Sequence, residues 1–589
     1  MNTGQRGLAN ILAPALAAIA VIVIYGVIAC TADSELGSRA PNEDFYNRLV
    51  AGFVKGQLSL DLTPPAALAL LPDPYDPRAN APFQGQAYMP GRFHDLSYYH
   101  GRFYLYFSAV PAVVLFLPFH LLTGSWLSHQ QACFLFASVA FLAGAALVDS
   151  IRRHSFPSAG PAAAALCTLC IGLAPLTPIV LQRPDVWEVP ITAAQAFWML
   201  SLLLLWIHLQ NPGRSWKTAL GAGAAVGLAI GCRPDSILGG AILLWPLGHA
   251  LGIGRGKEGP RSYARAAALL LPPVAIGCGL LAYNAARYGS MFDFGQNYQL
   301  VGDVERIRHF RTSFFWYNFR LYFFAYPGWQ TAFPFVRDLV VPPQPAGHVV
   351  VEGPVGVLTL LPFTLCAAAI PFGLRRLPEG ARQRPAAVGK MLLLLFGCGA
   401  ATFCLYFAAC TRYQLEFTPA LVLLAAIGFL ALVAGFRSTP RLRRALLGAA
   451  GCAAAASIAF NLAMAANNRG AADTAHAFIA MQAGQLDQAV DLYRRAQRLR
   501  PASAIAPVGL ANIYVREGDF AAAGIALKKA VELLPNSARL HVNYAYCLFK
   551  TGRWNEALAE CETALRLQPG FPDARNTEAQ IRLAQHAGP

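Results

Sequence analysis

A long segment rich in Asp, Glu, Tyr and Pro, residues 31–128, lies between the first apolar stretch and the next unambiguous one. Glu43 and Asp44 stand together near its start, and Asp95 follows His94 in the run HDLSYYHGRFYLYF. Carboxylates can accept a proton from a hydroxyl group or bind a divalent metal ion. The Glu43–Asp44 pair could also complement the dipole at a helix N-terminus. Both interpretations are open from the residues alone.

The residues after this pair have helical periodicity. Apolar side chains recur at intervals of three and four residues from Tyr46 to Val54, and Gly56 follows. The pattern predicts an amphipathic helix over residues 45–55 that lies on the membrane surface. Such a helix would hold the two acids close to the outer membrane surface.

Turn-forming residues divide the rest of the segment. In DPYDP, Asp73 and Asp76 each precede a proline and are expected to cap local backbone amides. Gly101 predicts a turn before an aromatic run. Residues 103–124 are apolar enough to cross a membrane, but their two internal prolines favour a juxtamembrane or re-entrant helix packed against the bundle.

The composition of the chain indicates the class of protein in which these residues lie. The chain has 589 residues, of which 56% are hydrophobic and only 13% charged, and its mean hydropathy is +0.41. These values are typical of a polytopic membrane protein rather than a soluble globular one. We predict an all-α transmembrane bundle over residues 1–466 with about 11 spans. The spans are expected near 8–30, 129–149, 160–181, 190–209, 218–232, 236–253, 266–286, 353–373, 391–409, 414–436 and 444–466.

The net charge of +16 indicates how the chain is oriented in the membrane rather than that it binds nucleic acid. Lys and Arg residues of the membrane region cluster in short loops, which the positive-inside rule places in the cytoplasm. No basic stripe with interleaved aromatic residues is found beyond them, so nucleic acid is not an expected partner. This topology puts outer loop 31–128, outer loop 287–352 and the C-terminus on the side of the membrane opposite the cytoplasm.

The C-terminal region repeats with a period of about 34 residues. Glycine, alanine and proline recur at that spacing at Gly484, Gly518, Gly552, Ala496, Ala530, Ala564, Pro501, Pro535 and Pro569. This period and these residues resemble tetratricopeptide repeats. Three repeats are predicted over 470–571, and 572–589 is predicted to be a cap helix and tail. The resemblance implies an α-solenoid whose concave surface holds a peptide or partner protein.

The membrane region resembles a known family through the order of several motifs. The acidic Glu43 segment, DPYDP and HDLSYYHGRFYLYF are followed by Trp187-Glu188-Val189, GCRPD, YNAARYGSMFDFGQNYQL and TRYQLEFTPAL. Over residues 10–465 the chain is similar to bacterial membrane proteins of the glycosyltransferase C superfamily.

That resemblance implies transfer of a sugar from a polyprenyl-phosphate donor at the outer face of the inner membrane. An acidic residue of the first outer loop is the base or metal ligand in that superfamily. Glu43 is the best match, with Asp44 adjacent and Asp95 as a third candidate. A divalent metal ion is a candidate cofactor, held by Glu43 and Asp44 if by any residues, but the sequence Asn42-Glu43-Asp44 departs from the usual pair of acids, so a metal is not assumed.

Donor-binding residues are expected at other outer positions. Arg233 follows an apolar span, where a guanidinium suits a lipid phosphate, although it could also anchor the helix end. Glu188 could pair with it or face the same pocket. Tyr298 and Arg412 are further candidates for contacts with the phosphate or sugar.

Several functions remain open. The acceptor could be a lipid, a glycan or a protein, and an O-antigen ligase or an oligosaccharyltransferase-like enzyme is the nearest alternative. A lipid or sugar transporter and a non-catalytic membrane scaffold that presents its repeats are alternatives of another class. The sequence contains neither GxxxxGKS nor GxxxxGKT, the forms of the phosphate-binding loop, which disfavours a nucleotide-driven reaction.

Overall fold

The computed structural model describes residues 3–32, 44–83, 93, 95–210, 216–251, 260–300, 309–436 and 438–587. It divides into two compact units. The first comprises residues 1–327 and 338–465, and the second comprises residues 328–337 and 466–589. Helices dominate both, so the predicted all-α class is confirmed.

The first unit is a helical bundle. Its helices, numbered along the chain, are α1 (Thr3–Thr31), α2 (Phe45–Val54), α3 (Ala66–Ala69), α4 (Leu117–Thr123), α5 (His129–Ser155), α6 (Pro161–Leu173), α7 (Thr177–Leu181), α8 (Glu188–Gln210), α9 (Trp216–Cys232), α10 (Leu244–Ala250), α11 (Pro260–Tyr288), α12 (Phe315–Phe324), α13 (Val357–Leu360), α14 (Ile370–Arg375), α15 (Glu379–Cys404), α16 (Thr411–Gln414), α17 (Thr418–Gly435) and α18 (Pro440–Gln482), the last of which continues into the second unit. Within the described residues, seven of these helices are long and apolar enough to cross a membrane: α1, α5, α8, α11, α15, α17 and α18. Each coincides with a predicted span, and the chain is a membrane protein.

The other four predicted spans are shorter or interrupted. Residues 160–181 are divided between α6 and α7, and 218–232 forms most of the short helix α9. Two predicted spans contain 3₁₀ helix, at Pro234–Leu243 and Pro362–Ala369. Each 3₁₀ segment begins with a proline and runs into an α-helix. The count of eleven crossings stays a prediction.

Small residues allow two helices of the bundle to pack closely. A Cβ atom on Gly223 of α9 would lie 2.3 Å from the carbonyl oxygen of Leu269 in α11, and one on Gly227 would lie 2.7 Å from Cα of Pro273. Glycines spaced by four residues are a common way for membrane helices to approach each other. The α9–α11 contact therefore depends on the absence of side chains at these two positions, and it holds the ends of both helices beside the cavity described below.

Replacing Gly223 by Val should lower the thermal stability of the detergent-solubilised protein, because the added side chain would force the α9 and α11 backbones apart. Overpacking of this kind typically costs about 1–3 kcal/mol. The matched control is Gly277→Val on α11, where an added Cβ meets no atom within 4 Å. Melting followed by size-exclusion chromatography should show a lower midpoint for the first variant only, and equal midpoints would contradict this account of the contact.

The first outer segment is folded against the bundle. Helix α2 agrees with the predicted helix over 45–55, but its apolar side packs on protein rather than resting on a membrane: Tyr46 is fully buried and stacks on Phe116 at a centroid distance of 5.2 Å. The predicted turns of DPYDP are present, since the Asp73 and Asp76 carboxylates accept backbone N–H groups at 2.8 and 2.9 Å.

The apolar run 103–124 differs from the single helix that was predicted. Its start belongs to a hairpin, in which strand β1 (Leu96–Tyr99) pairs with β2 (Arg102–Leu105). His100 and Gly101 both have positive φ, as a two-residue hairpin turn requires. Helical structure is confined to residues 110–123. At a rise of about 1.5 Å per residue, this helix is too short to cross a hydrocarbon core of about 30 Å.

Two further small sheets occur in the described residues. One is the antiparallel pair of β3 (Gly328–Trp329) and β4 (Val336–Arg337), and the other is the parallel pair of β5 (Val350–Glu352) and β6 (Ala408–Cys410). The β5–β6 pair sets Glu352 opposite Cys410, two residues before Arg412. This register brings the Glu352 side chain within hydrogen-bonding distance of Arg412.

Besides the β3–β4 pair, the second unit consists of helix pairs. After α18 its helices are α19 (Leu486–Leu499), α20 (Ile505–Glu517), α21 (Phe520–Leu533), α22 (Ala538–Lys550), α23 (Trp554–Leu567) and α24 (Pro572–Ala587). The three glycines of the repeat, Gly484, Gly518 and Gly552, all have φ between 76° and 80°. Glycine adopts this left-handed conformation without strain, which explains why it recurs at each tight interhelical turn.

Candidate functional site

A polar cavity of about 670 Å³ lies in the first unit. Its wall is formed by the start of β1, the residues after β2, the end of α9, the end of α11 and the β5–β6 region. Its charged lining residues and its histidine are Asp95, Arg183, Arg233, Asp235, Arg287, His309, Glu352 and Arg412. A volume of this size accommodates a small ligand or the head group of a lipid.

Arg233 lies directly after α9 and is held by two carboxylates. Its Nη2 donates to Asp235 Oδ2 at 2.7 Å, and its Nε lies 2.9 Å from Oε1 of the buried Glu416. The ring centroids of Phe403 and Tyr413 are each 5.9 Å from the guanidinium. The positive charge of Arg233 is thus compensated within the protein.

Glu352 joins two more arginines. Its Oε2 accepts from Arg183 Nη1 at 3.2 Å and also from Arg412 Nη1. The side chains of Arg183 and Arg412 both lie beside Trp187, at 5.3 and 5.4 Å from its ring centroid. Burial would raise the pKa of Glu352, but the two guanidinium groups outweigh it and lower that pKa to about 2. Glu352 is therefore ionised at neutral pH and is matched by two cations.

Asp95 is held in an unusual backbone conformation. Its φ is positive, and the residue directly precedes β1. Positive φ is uncommon for a residue other than glycine. Trp187 Nε1 donates a 2.5 Å hydrogen bond to Asp95 Oδ2. Backbone strain of this type persists where the surroundings fix it, and it is enriched at functional sites. The structure thereby directs a carboxylate to the cavity wall.

Arg287 is the arginine of the cavity that has no carboxylate partner among the described residues. In the last turn of α11, its Nη1 donates to the Leu105 carbonyl at 3.0 Å and its Nη2 to Asn284 Oδ1 at 2.7 Å. The rings of Tyr283 and Tyr288 lie 4.1 and 4.7 Å from the guanidinium. Its side chain is buried, and its Nε has no hydrogen-bond partner in the part of the chain that the structure describes. Within that part, Arg287 presents to the cavity a positive charge that no carboxylate pairs.

His309 is a neutral polar group in the same wall. Both of its ring nitrogens lie within 2.9 Å of Gln296 Nε2, and the Phe407 ring packs edge-on at 4.7 Å. Burial lowers the pKa of His309 below its ordinary value, so the ring is uncharged at neutral pH. It adds a hydrogen-bonding group without adding charge.

The residues predicted from the sequence fall into two groups. Asp95, Arg233 and Arg412 meet in the cavity wall, although they lie far apart along the chain. The lining residues do not include Asp44 or Glu188. Asp44 Oδ2 accepts from the His129 N–H at 3.3 Å, which ties α2 to the start of α5.

Two further predicted residues, Glu188 and Tyr298, are not among the residues that line the cavity. Glu188 is buried, and its Oε2 accepts the Asp185 N–H at 3.1 Å. Tyr298 lies beside the cavity rather than in its lining, where its hydroxyl donates to Asp293 Oδ2 at 2.8 Å. Glu43 lies outside the described residues.

Several lining residues were not singled out from the sequence. Arg183 and Asp235 lie within two residues of a proline at the ends of apolar runs, a position that could have marked them. Glu352 carries no local signal, because its arginine partners come from distant segments. Among the described residues, no group of three His, Cys, Asp or Glu side chains is arranged to hold a metal ion.

Comparison with protein families identifies the repeats. Tetratricopeptide repeat models match residues 474–538 and 514–581. The C-terminal part of the chain is built of tetratricopeptide repeats. No curated protein sequence matches the chain.

Among solved structures, the crystal structure of ArnT from Cupriavidus metallidurans bound to undecaprenyl phosphate matches 93% of this chain and 79% of its own, at 14% identity and a TM-score of 0.40. The first tetratricopeptide domain of Spaghetti (RPAP3), bound to an HSP90 peptide, matches 20% of this chain and 95% of its own, at 22% identity and a TM-score of 0.20. Yeast Tom70 matches 75% of this chain and 88% of its own, at 13% identity and a TM-score of 0.19. TM-scores this low do not assign an activity.

The tetratricopeptide repeats contain a buried carboxylate that is bound by two arginines. Asp473 is fully buried and accepts from Arg495 Nε at 2.7 Å and Nη2 at 2.5 Å, while Arg469 Nε lies 3.1 Å from its Oδ1. These bonds join α18 to α19. Removing one member of a fully buried ion pair typically costs about 3–5 kcal/mol, and the cost is lower here because the Arg495 side chain is 41% exposed and can be solvated.

Asp473→Asn should therefore loosen the first helix pair of the repeats. Hydrogen–deuterium exchange of the full-length protein should speed up by about tenfold in peptides from α18 and α19, if local opening controls exchange there. Glu556→Gln is the matched control, because Glu556 and its partner Arg553 are more than half exposed. The control should exchange like wild type; unchanged exchange in Asp473→Asn would show that the pair does not support the fold.

Proposed function

We propose that the chain is a membrane glycosyltransferase that moves a sugar from a polyprenyl-phosphate donor to a lipid, glycan or protein acceptor at the outer face of the membrane. The observation that carries the proposal is Arg287, a buried guanidinium without a carboxylate partner in the described residues, in one cavity with the positioned carboxylate of Asp95. The motif order described from the sequence supports the same class.

The donor phosphate would bind at Arg287. A guanidinium binds phosphate oxygens through two parallel charged hydrogen bonds, and such bonds are strong where water is excluded. The other three arginines in the wall are already paired with Glu352, Asp235 or Glu416. An incoming phosphate diester would supply the negative charge that Arg287 lacks.

Asp95 would act as the general base. In the proposed reaction the acceptor hydroxyl oxygen forms a bond to the anomeric carbon, the bond from that carbon to the phosphate oxygen breaks, and the hydroxyl proton moves to Asp95. The leaving polyprenyl phosphate gains one negative charge, which Arg287 stabilises. General-base catalysis of this kind typically contributes about 10²–10⁴-fold in rate.

Glu43 and Asp44 remain proposals as alternative bases or metal ligands. The contact of Asp44 with the start of α5 favours a structural role for that residue. Placement in a bacterial inner membrane, with the repeats outside, also remains a proposal.

The test is turnover by the purified full-length protein in lipid nanodiscs, supplied with polyprenyl-phosphate sugars and assayed for release of polyprenyl phosphate. Release should occur with at least one sugar, and cells without the gene should have altered surface glycans. Absence of release together with unchanged glycans would reject the proposal in favour of a transporter or a scaffold.

A further inference from the structure

Four tyrosine rings meet beside the cavity. Tyr298 lies 4.5 Å from Tyr99, 5.4 Å from Tyr288 and 6.0 Å from Tyr75, measured between ring centroids. Tyr288 is buried, whereas Tyr75, Tyr99 and Tyr298 are half-buried. We call these four residues the tyrosine surface.

The tyrosine surface is rigidly built. Tyr99 ends β1, and the 3₁₀ turn that contains Tyr298 is fastened to that strand by a bridge between Ser97 and Gln299. Ser97 Oγ also donates to the Gly295 carbonyl at 2.7 Å. A Cβ on Gly295 would lie 2.2 Å from the Tyr288 hydroxyl, so the close packing of the turn requires glycine there.

The tyrosine surface adjoins the cavity through shared segments. Gln296 and Gln299, on either side of Tyr298, line the cavity, while Tyr298 itself does not. Tyr288 directly follows Arg287 in α11. Tyr99 is four residues from Asp95 along β1, a distance of about 13 Å at the usual rise of an extended strand. The surface thus lies next to both groups on which the proposed transfer depends.

Polar groups complement the rings. The Tyr298 hydroxyl donates to Asp293 Oδ2 at 2.8 Å, and this bond raises the pKa of Tyr298 to about 12. The hydroxyl therefore stays protonated, and the Asp293 carboxylate has capacity to accept further hydrogen bonds. The Tyr75 hydroxyl is fixed by the Tyr98 carbonyl at 2.8 Å.

Building on the proposed transferase function, we infer that the tyrosine surface binds the carbohydrate part of the acceptor. A sugar ring has faces of C–H groups, which carry slight positive charge and suit the negative face of an aromatic ring. Its hydroxyl groups would bind Asp293. Tyrosine offers a large contact area with only two side-chain torsions to fix, so little entropy is lost on binding. A sugar bound here would present a hydroxyl toward Asp95.

The experiment uses the full-length protein in lipid nanodiscs and an array of bacterial envelope oligosaccharides, with no donor present. The wild type should bind a subset of the array. Tyr298→Ala and Tyr99→Ala should weaken that binding by about tenfold, whereas Tyr99→Phe, which keeps the ring, should bind nearly as well as wild type. Melting midpoints of each variant show whether the protein remains folded.

The matched control is Tyr263→Ala. Tyr263 is largely exposed and lies in α11 near the end opposite Tyr288. Because those two positions are many helical turns apart, its replacement should leave glycan binding unchanged. The inference is overturned if the wild type binds no glycan, or if Tyr298→Ala and Tyr99→Ala bind as the wild type does.

The two proposals fail in different ways. Glycan binding is measured without a donor, so loss of the acceptor inference leaves donor turnover unaffected. Failure of the transferase proposal would instead appear as glycan binding without any release of polyprenyl phosphate.

Discussion

Replacing Arg287 by Gln should raise the Kd of the full-length protein for undecaprenyl phosphate by about a hundredfold or more. Truncation of one partner in a buried, charge-assisted hydrogen-bonded pair typically costs that much. Gln retains the possibility of bonding the Leu105 carbonyl, which Arg287 Nη1 reaches at 3.0 Å, but it carries no charge. Titration in detergent by native mass spectrometry, with undecaprenol as the ligand that lacks a phosphate, measures the effect directly.

Arg287→Lys is expected to fall between the wild type and Arg287→Gln. Lysine keeps the positive charge but cannot form the planar pair of hydrogen bonds that a guanidinium makes with two phosphate oxygens. This variant therefore separates the contribution of charge from that of geometry.

Arg376 provides the matched control. Like Arg287, it lies against two rings, those of Phe372 and Phe436 at 4.2 and 4.5 Å, and donates to a carbonyl, that of Gly435 at 3.0 Å. It does not line the cavity, so Arg376→Gln should bind undecaprenyl phosphate like wild type. Equal affinities of Arg287→Gln and wild type would show that the phosphate binds elsewhere.

Arg233 was the phosphate-binding arginine expected from the sequence, and its replacement should give a different result. Arg233→Gln would leave Asp235 and the buried Glu416 without their cation. We therefore expect the main effect of Arg233→Gln to be a less stable and less abundant protein, rather than a weaker affinity for phosphate. The two arginines look alike in sequence, because each lies at the end of an apolar helix, and only their carboxylate partners distinguish them.

Features encoded by neighbouring residues could be predicted from the sequence. Apolar spacing located α2, proline and aspartate located the turns of DPYDP, and the regular recurrence of glycine, alanine and proline located the repeats. In each case the stabilising contacts form between residues close along the chain, so a local pattern contains the information.

Features made by distant residues could not be predicted. Glu352 meets Arg412 because β5 pairs with β6 in parallel, and it meets Arg183 from a third segment. The apolar run 103–124 looked like one helix, yet its first residues complete a hairpin because β1 offers a partner strand. The length of the apolar run did not reveal that Pro234–Leu243 forms a 3₁₀ helix, because hydropathy does not encode the pattern of backbone hydrogen bonds.

Asp95→Asn should lower turnover by about 10²–10⁴-fold while leaving the affinity for undecaprenyl phosphate unchanged. Asn is close in size and can accept the hydrogen bond from Trp187 Nε1. It also tolerates the positive φ of this position better than most residues do. The variant therefore removes the group that accepts the proton but keeps the hydrogen bond and the backbone conformation that position it. Turnover and phosphate binding are to be measured on the same preparation.

Trp187→Phe tests whether the position of Asp95 matters. Phe keeps most of the ring beside Arg183 and Arg412 but removes the N–H that holds Oδ2 at 2.5 Å. Turnover should fall by less than in Asp95→Asn, with the loss in kcat rather than in the KM for the donor, because Trp187 acts on the carboxylate and not on the phosphate.

Variants of Asp44 and Glu43 test whether Asp95 is the only base of the proposed reaction. Asp44→Asn should retain turnover, since the Asp44 carboxylate bonds the start of α5 and does not line the cavity. If Glu43→Gln abolished turnover while Asp95→Asn retained it, Glu43 would be the base and Asp95 a structural carboxylate. If both were inactive with intact phosphate binding, the two acids would share the reaction, one as the base and the other as a ligand of the acceptor hydroxyl or of a metal ion.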